Sequence, residues 1–238
     1  MENKVFISDD VAELKKKIAQ GVPTIAVETK ENKEAIASLS PKPNAIHVGW
    51  DDMDEDWVEK IRQRAYGIPW TIFETERTVA RELSESDIDA LFELYAGPRI
   101  TDYIEPLFEY EAEKEYQANY RKYIYEIWGF GLWGIFDKKT GRLIGRAGID
   151  PRDGRIELGY VIASDRQGQG IGYEVCKKIL EYAADDLEIE ELYCTIFPQN
   201  ESSKKLAEKL GFVPTSECTD DGKLVYSKNL QKTRLEMG

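Results

Sequence analysis

A chain of 238 residues with 32 Lys plus Arg against 45 Asp plus Glu carries a formal net charge of −13. That balance argues against a nonspecific nucleic-acid binder, which needs a basic footprint, and favours cationic partners. No segment approaches the ~18 apolar residues that a membrane helix requires, and Met1-Glu2-Asn3-Lys4-Val5 lacks the basic-then-apolar pattern of a secretory leader, so a cytoplasmic protein is expected.

In chain order, residues 1–70 read as a small unit of alternating strands and helices. Val5-Phe6-Ile7, Thr24-Ile25-Ala26-Val27 and Ala45-Ile46-His47-Val48 are strands. Between and after them, apolar residues recur at helical spacing: Val11, Leu14 and Ile18; the span 31–39; and Trp57, Val58, Ile61 and Ala65. This order predicts a parallel, Rossmann-like sheet, yet the unit has no Gly-x-Gly-x-x-Gly and no Walker run to hold a nucleotide. Gly67-Ile68-Pro69-Trp70 reads as a turn before the second region, residues 71–238.

The second region opens with a strand, Thr78–Leu83, then a helix capped by Ser84 or Ser86 and bearing Ile88, Leu91, Phe92 and Tyr95. A long helix with Tyr116, Tyr120, Tyr123, Ile124 and Ile127 follows. Leu132–Phe136 and Leu143–Gly148 form a hairpin around Asp137-Lys138-Lys139-Thr140-Gly141. Next come a strand, Glu157–Ile162, a glycine-rich run, and a helix whose apolar face holds Val175, Cys176, Ile179, Leu180 and Ala183. A strand from Glu191 to Phe197 and a helix from Asn200 lead to two closing strands, Val213–Glu217 and Leu224–Leu230.

The glycine-rich run is the most informative feature. Gln167-Gly168-Gln169-Gly170-Ile171-Gly172 lies between a strand and an amphipathic helix. Glycines let the backbone approach an anion closely, and the first-turn N–H groups of a helix have no partners of their own. The helix dipole adds to the attraction, so phosphate is the natural ligand. Glycines also make ordinary turns. A second element strengthens the reading: Asn200-Glu201-Ser202-Ser203, then Leu206, Ala207, Leu210 and Gly211-Phe212.

Together the two segments resemble the GNAT superfamily of acyl-CoA N-acyltransferases, over roughly residues 72–230. The first run fits the signature Gln/Arg-x-x-Gly-x-Gly/Ala at Gln167, Gly170 and Gly172. The resemblance implies an α/β chain: a GNAT fold with a mixed central sheet splayed at the cofactor, preceded by the small Rossmann-like unit. It implies acetyl-CoA as co-substrate, no metal, and direct attack by a primary amine, either a peptide N-terminus or a small cationic amine. Oligomeric state stays open, with a homodimer allowed. A non-catalytic acyl-CoA-binding regulator is the alternative.

By that resemblance, the backbone of Tyr160, Val161 and Ile162 holds the pantetheine arm and supplies an oxyanion-hole N–H. The main chain from Gln167 and Gly168 through Gln169, Gly170, Ile171 and Gly172 to Tyr173 holds the pyrophosphate. Asn200 contacts the arm and Ser203 sits near its sulfur. Many members carry a tyrosine seven residues after the asparagine as general acid; here that position is Ala207. The chain therefore resembles the ribosomal-protein N-terminal acetyltransferases, where a serine at the Ser203 position is the candidate acid. Helix capping is the plainer role for Asn200 and Ser203.

Glu157 is the candidate general base; an exposed strand glutamate, or one paired with Arg146 or Arg155, is the alternative. An α-amine with a pKa of ~7.7–8.0 needs less help than a lysine at ~10.4. The acceptor is expected over residues 99–115, where Asp102, Tyr103 and Glu105 are the substrate-binding candidates. The three cysteines fit neither a zinc site nor a redox pair, and the single histidine, His47, lies far from both motifs in sequence.

Overall fold

The computed structural model describes residues 4–152 and 154–230. It divides into two compact units, Met1–Trp70 and Thr71–Gly238.

In the first unit, β1 (Phe6–Ser8), β2 (Thr24–Glu28) and β3 (Ala45–Val48) form a parallel sheet in the order β1-β2-β3. Helices α1 (Val11–Ala19), α2 (Lys33–Ala37) and α3 (Glu55–Ala65) alternate with the strands. Asp10 starts α1 by accepting from the N–H groups of Ala12 and Glu13, two donors that the helix itself leaves unpaired. The core is small: Leu14, Ala26, Ile36 and Leu39 are buried together, flanked by Phe6, Val11 and Ile18. His47 bonds through Nδ1 to the Gly49 carbonyl and lies against the Trp57 ring, an ordinary packed histidine.

The second unit is built on an eight-stranded sheet. Its strands are β4 (Thr71–Glu74), β5 (Thr78–Arg81), β6 (Leu132–Asp137), β7 (Leu143–Arg152), β8 (Arg155–Ile162), β9 (Glu191–Ile196), β10 (Val213–Cys218) and β11 (Leu224–Asn229), in the order β10-β11-β9-β8-β7-β6-β5-β4. Among the described residues every neighbouring pair is antiparallel except β8–β9. Helices α4 (Ile88–Tyr95), α5 (Tyr110–Tyr120) and α6 (Glu126–Trp128) precede β6; α7 (Ile171–Asp185) and α8 (Glu201–Lys209) flank β9.

Three features differ from the sequence reading. The strand after the hairpin loop runs on to Arg152, and an edge strand precedes Thr78. The long helix is interrupted by a π-helical turn at Arg121–Tyr125, which re-aims its tyrosines. Tyr120 accepts from Leu132 N and donates to Asp150, and Tyr125 donates to Leu132 O. Both clasp the start of β6.

Register decides which side chains share a face. Trp133, Ala147 and Tyr160 form a row across β6, β7 and β8. Trp133 meets Tyr182 of α7 edge-on at 5.7 Å, so this row lies on the face that α7 covers. The next row, Gly134, Arg146 and Val161, lies on the opposite face, because side chains alternate along a strand. There Arg146 is buried over the Tyr120 ring, and its Nε has no hydrogen-bond partner.

Candidate functional site

The parallel seam opens almost as soon as it forms. β8 and β9 share one registered pair, Glu157 and Tyr193. Beyond it β8 stays in register with β7 as far as Ile162, while β9 stays with β11 as far as Ile196. The β9-facing edge of Tyr160–Ile162 therefore has no registered strand partner among the described residues. Unpaired backbone at a sheet edge is a ready template for an extended ligand. A cleft of about 820 Å³ occupies this opening, with Tyr160, Val161 and Ile162 on its wall.

The glycine-rich run forms the next stretch of wall. Gly168 and Gly170 have φ of +72° and +80°, a left-handed geometry that costs an ordinary residue about 1–2 kcal/mol. Gly170 precedes the first turn of α7, whose first main-chain bond runs from Glu174 N to Gly170 O. No main-chain carbonyl among the described residues accepts from the N–H groups of Gly168 to Tyr173. A side chain at Gly168 would meet nothing within 4 Å, and one at Gly172 would reach ordinary contact with Leu206 of α8 at 3.4 Å. Open space and unpaired donors make an anion cradle.

Three polar side chains brace this cradle from outside. Gln167 Nε2 donates to Ile162 O, tying the loop to the end of β8. Gln169 Nε2 donates to Asp165 O. Arg77 donates through Nη1 to Gln169 O and through Nε to Glu174 Oε2, and Glu174 also accepts from Arg77 N. Burial pulls the Glu174 carboxyl upward, but hydrogen bonds from Thr75 and Arg77 win and hold it below its ordinary value. The side chains of Gln169 and Ile171 do not line the cleft; Ile171 is in the core. Arg77, 97 residues from Glu174, has no signal in the sequence pattern.

Asn200 is the N-cap of α8. Its Oδ1 accepts from Ser203 N at 3.1 Å and from Ser202 Oγ at 2.9 Å. The capping role is thus present, and both Asn200 and Ser203 also line the cleft. The Tyr160 hydroxyl donates to Ser203 O at 3.4 Å. Burial pushes its pKa well above that of a free phenol, partly offset by a hydrogen bond with the Ser203 side chain. Burial likewise pushes the Cys194 thiol up to about 12, so this cysteine, beside the cleft on β9, stays protonated.

Glu157 projects from the face opposite Tyr160 and accepts from Thr195 Oγ1 at 3.3 Å. It is not on the cleft wall. Arg155 donates to Glu217 and Arg146 stacks on Tyr120. The acceptor candidates separate. Asp102 and Tyr103 line the cleft and Glu105 does not. Asp102 is paired with Arg99 at 3.0 Å in an exposed ion pair, and the Tyr103 hydroxyl donates to Gln199 O. Arg99 reaches Asp102 from a left-handed backbone, φ +62°, a conformation invisible to pattern reading.

The wall also carries Lys205 and Lys209, with Lys209 Nζ 4.2 Å from the centre of the Tyr173 ring, while its Arg166 is paired with Asp137 at 3.2 Å and its Glu201 with Lys204. Cations collected on one cleft of a chain with net charge −13 fit a polyanionic ligand. Glycine-loop donors, lysines and an unpaired strand edge together suit a ligand with phosphates at one end and an extended amide-containing arm at the other, as in coenzyme A. Among the described residues no group of three or more His, Cys, Asp or Glu is placed to hold a metal ion, and no helix is long and apolar enough to cross a membrane.

The profile of the family described as Acetyltransferase (GNAT) domain matches residues 77–213. The uncharacterized N-acetyltransferase YoaA of Bacillus subtilis is 28% identical over 146 residues, covering 59% of this chain and 82% of that one. Spermine/spermidine N(1)-acetyltransferase of the same organism is 26% identical over 106 residues, 44% of this chain and 64% of that one. Among solved structures, ribosomal-protein-S5-alanine acetyltransferase from Vibrio fischeri aligns with a TM-score of 0.57 at 20% identity, over 66% of this chain and 95% of that one.

Proposed function

The chain belongs to the GNAT acetyltransferase family, and from that premise we propose that it transfers an acetyl group from acetyl-CoA to a primary amine, either a peptide N-terminus or a small cationic amine. The observation that carries the reading is the cleft, where a glycine cradle with unpaired N–H groups adjoins a strand edge left unpaired by the parting of β8 and β9. Named substrates of similar proteins, spermine and spermidine in one and a ribosomal-protein alanine in another, bracket the acceptor class.

Acetyl-CoA supplies an acyl group already activated as a thioester. The N–H groups of Gly168 to Tyr173 hold the pyrophosphate, with the brace from Arg77 keeping the loop in shape. Main-chain groups of Tyr160, Val161 and Ile162 hold the arm. One N–H of this strand serves the negative charge that grows on the acyl oxygen, a donor fixed in advance and therefore free of reorganisation cost. Asn200 and Ser203 close the end of the site near the sulfur.

Glu157 takes the proton of the attacking amine, directly or through water, and Thr195 orients its carboxylate. Because Glu157 and Tyr160 occupy opposite faces of β8, the amine arrives on one face and the thiol leaves on the other. That separation supports direct attack without a covalent enzyme intermediate.

Incubating the full chain with acetyl-CoA and a panel of free amines, polyamines and peptides, read as thiol release, tests the proposal. Turnover with N-terminal peptides above that with polyamines supports the α-amine. Tight acetyl-CoA binding with no turnover across the panel overturns the transfer reading.

A further inference from the structure

We propose that the side-chain hydroxyl of Tyr160 donates a hydrogen bond to the departing sulfur of the co-substrate, so that the strand, rather than helix α8 alone, stabilises the leaving group. The inference rests on reading the cleft as the acetyl-CoA site and goes beyond it, since that reading uses only the main chain of Tyr160.

Elimination among the hydroxyls of the cleft wall leads to this residue. Ser164 Oγ donates to Pro98 O at 2.6 Å and Ser202 Oγ to Asn200 Oδ1 at 2.9 Å, while Tyr103, whose bond to Gln199 O is also a long 3.3 Å, lies against the Phe197 ring just past the end of β9. Tyr173 lies under Lys209, at the glycine-loop end of the cleft. Ser203 and Tyr160 remain, and they adjoin one another. The Tyr160 bond to Ser203 O is 3.4 Å, longer than a good hydroxyl hydrogen bond. Its proton is thus loosely held and can turn to a better acceptor in the cleft.

The helix leaves space for the ring. Ser203 O is the acceptor for the N–H four residues on, so Tyr160 approaches α8 along the turn between Ser203 and Ala207. Position 207 is a buried alanine, with no polar side chain to offer the site. From the other side, the row Trp133, Ala147 and Tyr160 fixes the ring on the α7 face, opposite Glu157.

The chemistry balances without proton transfer from the phenol. The amine nitrogen forms its bond to the acyl carbon, the carbon–sulfur bond breaks, and its electron pair stays on sulfur. The amine proton goes to Glu157 or water. The thiolate, with a thiol pKa of about 8.5 in water, takes its proton from solvent on release. Tyr160 stays protonated throughout, as its burial demands, and acts as a charge-assisted donor.

The test measures bound CoA, not turnover alone. The ultraviolet thiolate absorbance of CoA saturating the full chain is followed against pH for the wild type and Tyr160→Phe, with calorimetric affinities for CoA and its desulfo analogue. The expected result is a thiol that ionises at a pH about one unit higher in Tyr160→Phe, and a preference for CoA over desulfo-CoA that shrinks several-fold. Acceptor kcat falls about tenfold with KM unchanged. Incorporating 3-fluorotyrosine at position 160 restores the thiol titration, which separates the hydroxyl from the packing of the ring. An unchanged thiol titration in Tyr160→Phe, with CoA still bound, overturns the role of Tyr160 and leaves the cleft reading standing. A wild-type chain that binds no CoA overturns both.

Discussion

Glu157 and Tyr193 are the one residue pair in register across the parallel seam between β8 and β9. The candidate base therefore sits where the two strands begin to part, and its carboxylate is steadied by Thr195 from the far side of the seam. Strand pairing holds Glu157, and strand divergence opens the space beyond it.

Glu157 and Ser203 are separable by pH. Glu157→Gln lowers kcat/KM about 10²-fold near pH 7, with recovery at higher pH where the amine deprotonates itself. Ser203→Ala costs a factor that is nearly constant with pH, because it touches the leaving thiol or the arm. Profiles from pH 6 to 9 check this. Wild-type rates in Glu157→Gln at every pH remove Glu157 from the mechanism.

Gly170→Glu abolishes acetyl-CoA binding while the circular dichroism spectrum is retained. The new carboxylate repels the pyrophosphate, and the left-handed backbone at φ +80° adds strain. Titration calorimetry reads the loss directly. Unchanged affinity in a folded variant would sink the assignment of the loop.

Asp87→Asn destabilises the fold by about 2–3 kcal/mol at pH 7, since it breaks a partly buried, two-pronged pair with Arg81. Burial pulls the Asp87 carboxyl upward, but bonds from Arg81 and Ser84 prevail and hold it below its ordinary value. A carboxyl depressed in the folded state contributes fully above its unfolded pKa of about 3.9 and loses that contribution as pH falls through the folded value. The two proteins therefore converge in stability as pH falls below that folded value. Denaturant melts at pH 7 and in progressively stronger acid make the comparison.

A chain beginning near Thr71 retains acetyl-CoA binding, because every residue assigned to the cofactor lies at or beyond Tyr160. Calorimetry on the shortened chain decides it. A folded, soluble truncation that fails to bind gives residues 1–70 a part in the site.

The motif residues were legible because their chemistry is local. Glycines at the mouth of an amphipathic helix mark a turn whose first N–H groups stay open, and Asn200 with Ser203 marks a helix start. What escaped was set by partners distant in sequence. Pro151 in β7 argues against a strand there. It is tolerated beside the turn joining Arg152 to Arg155, where it faces Ile156. Arg77 braces the loop through a contact that only the folded sheet creates. Local backbone geometry escaped as well: Arg99, on its left-handed backbone, pairs with Asp102 three residues on. Glu105 is exposed and off the cleft: a string of acids says nothing about which way each one points.

The parting of β8 from β9 also divides the sheet by its folding economy. β4 to β8 pair in chain order, a meander in which each strand closes on its predecessor, so this half forms from contacts of low sequence separation wherever no helix intervenes. The β9–β11 half joins through a single registered pair and the helices around it. A ligand lying along the open edge supplies hydrogen bonds that the seam lacks and bridges the halves. By mass action, saturation at 100 times the dissociation constant adds about 2.7 kcal/mol to global stability. On the proposed function, the co-substrate is then a mortar as well as a reagent.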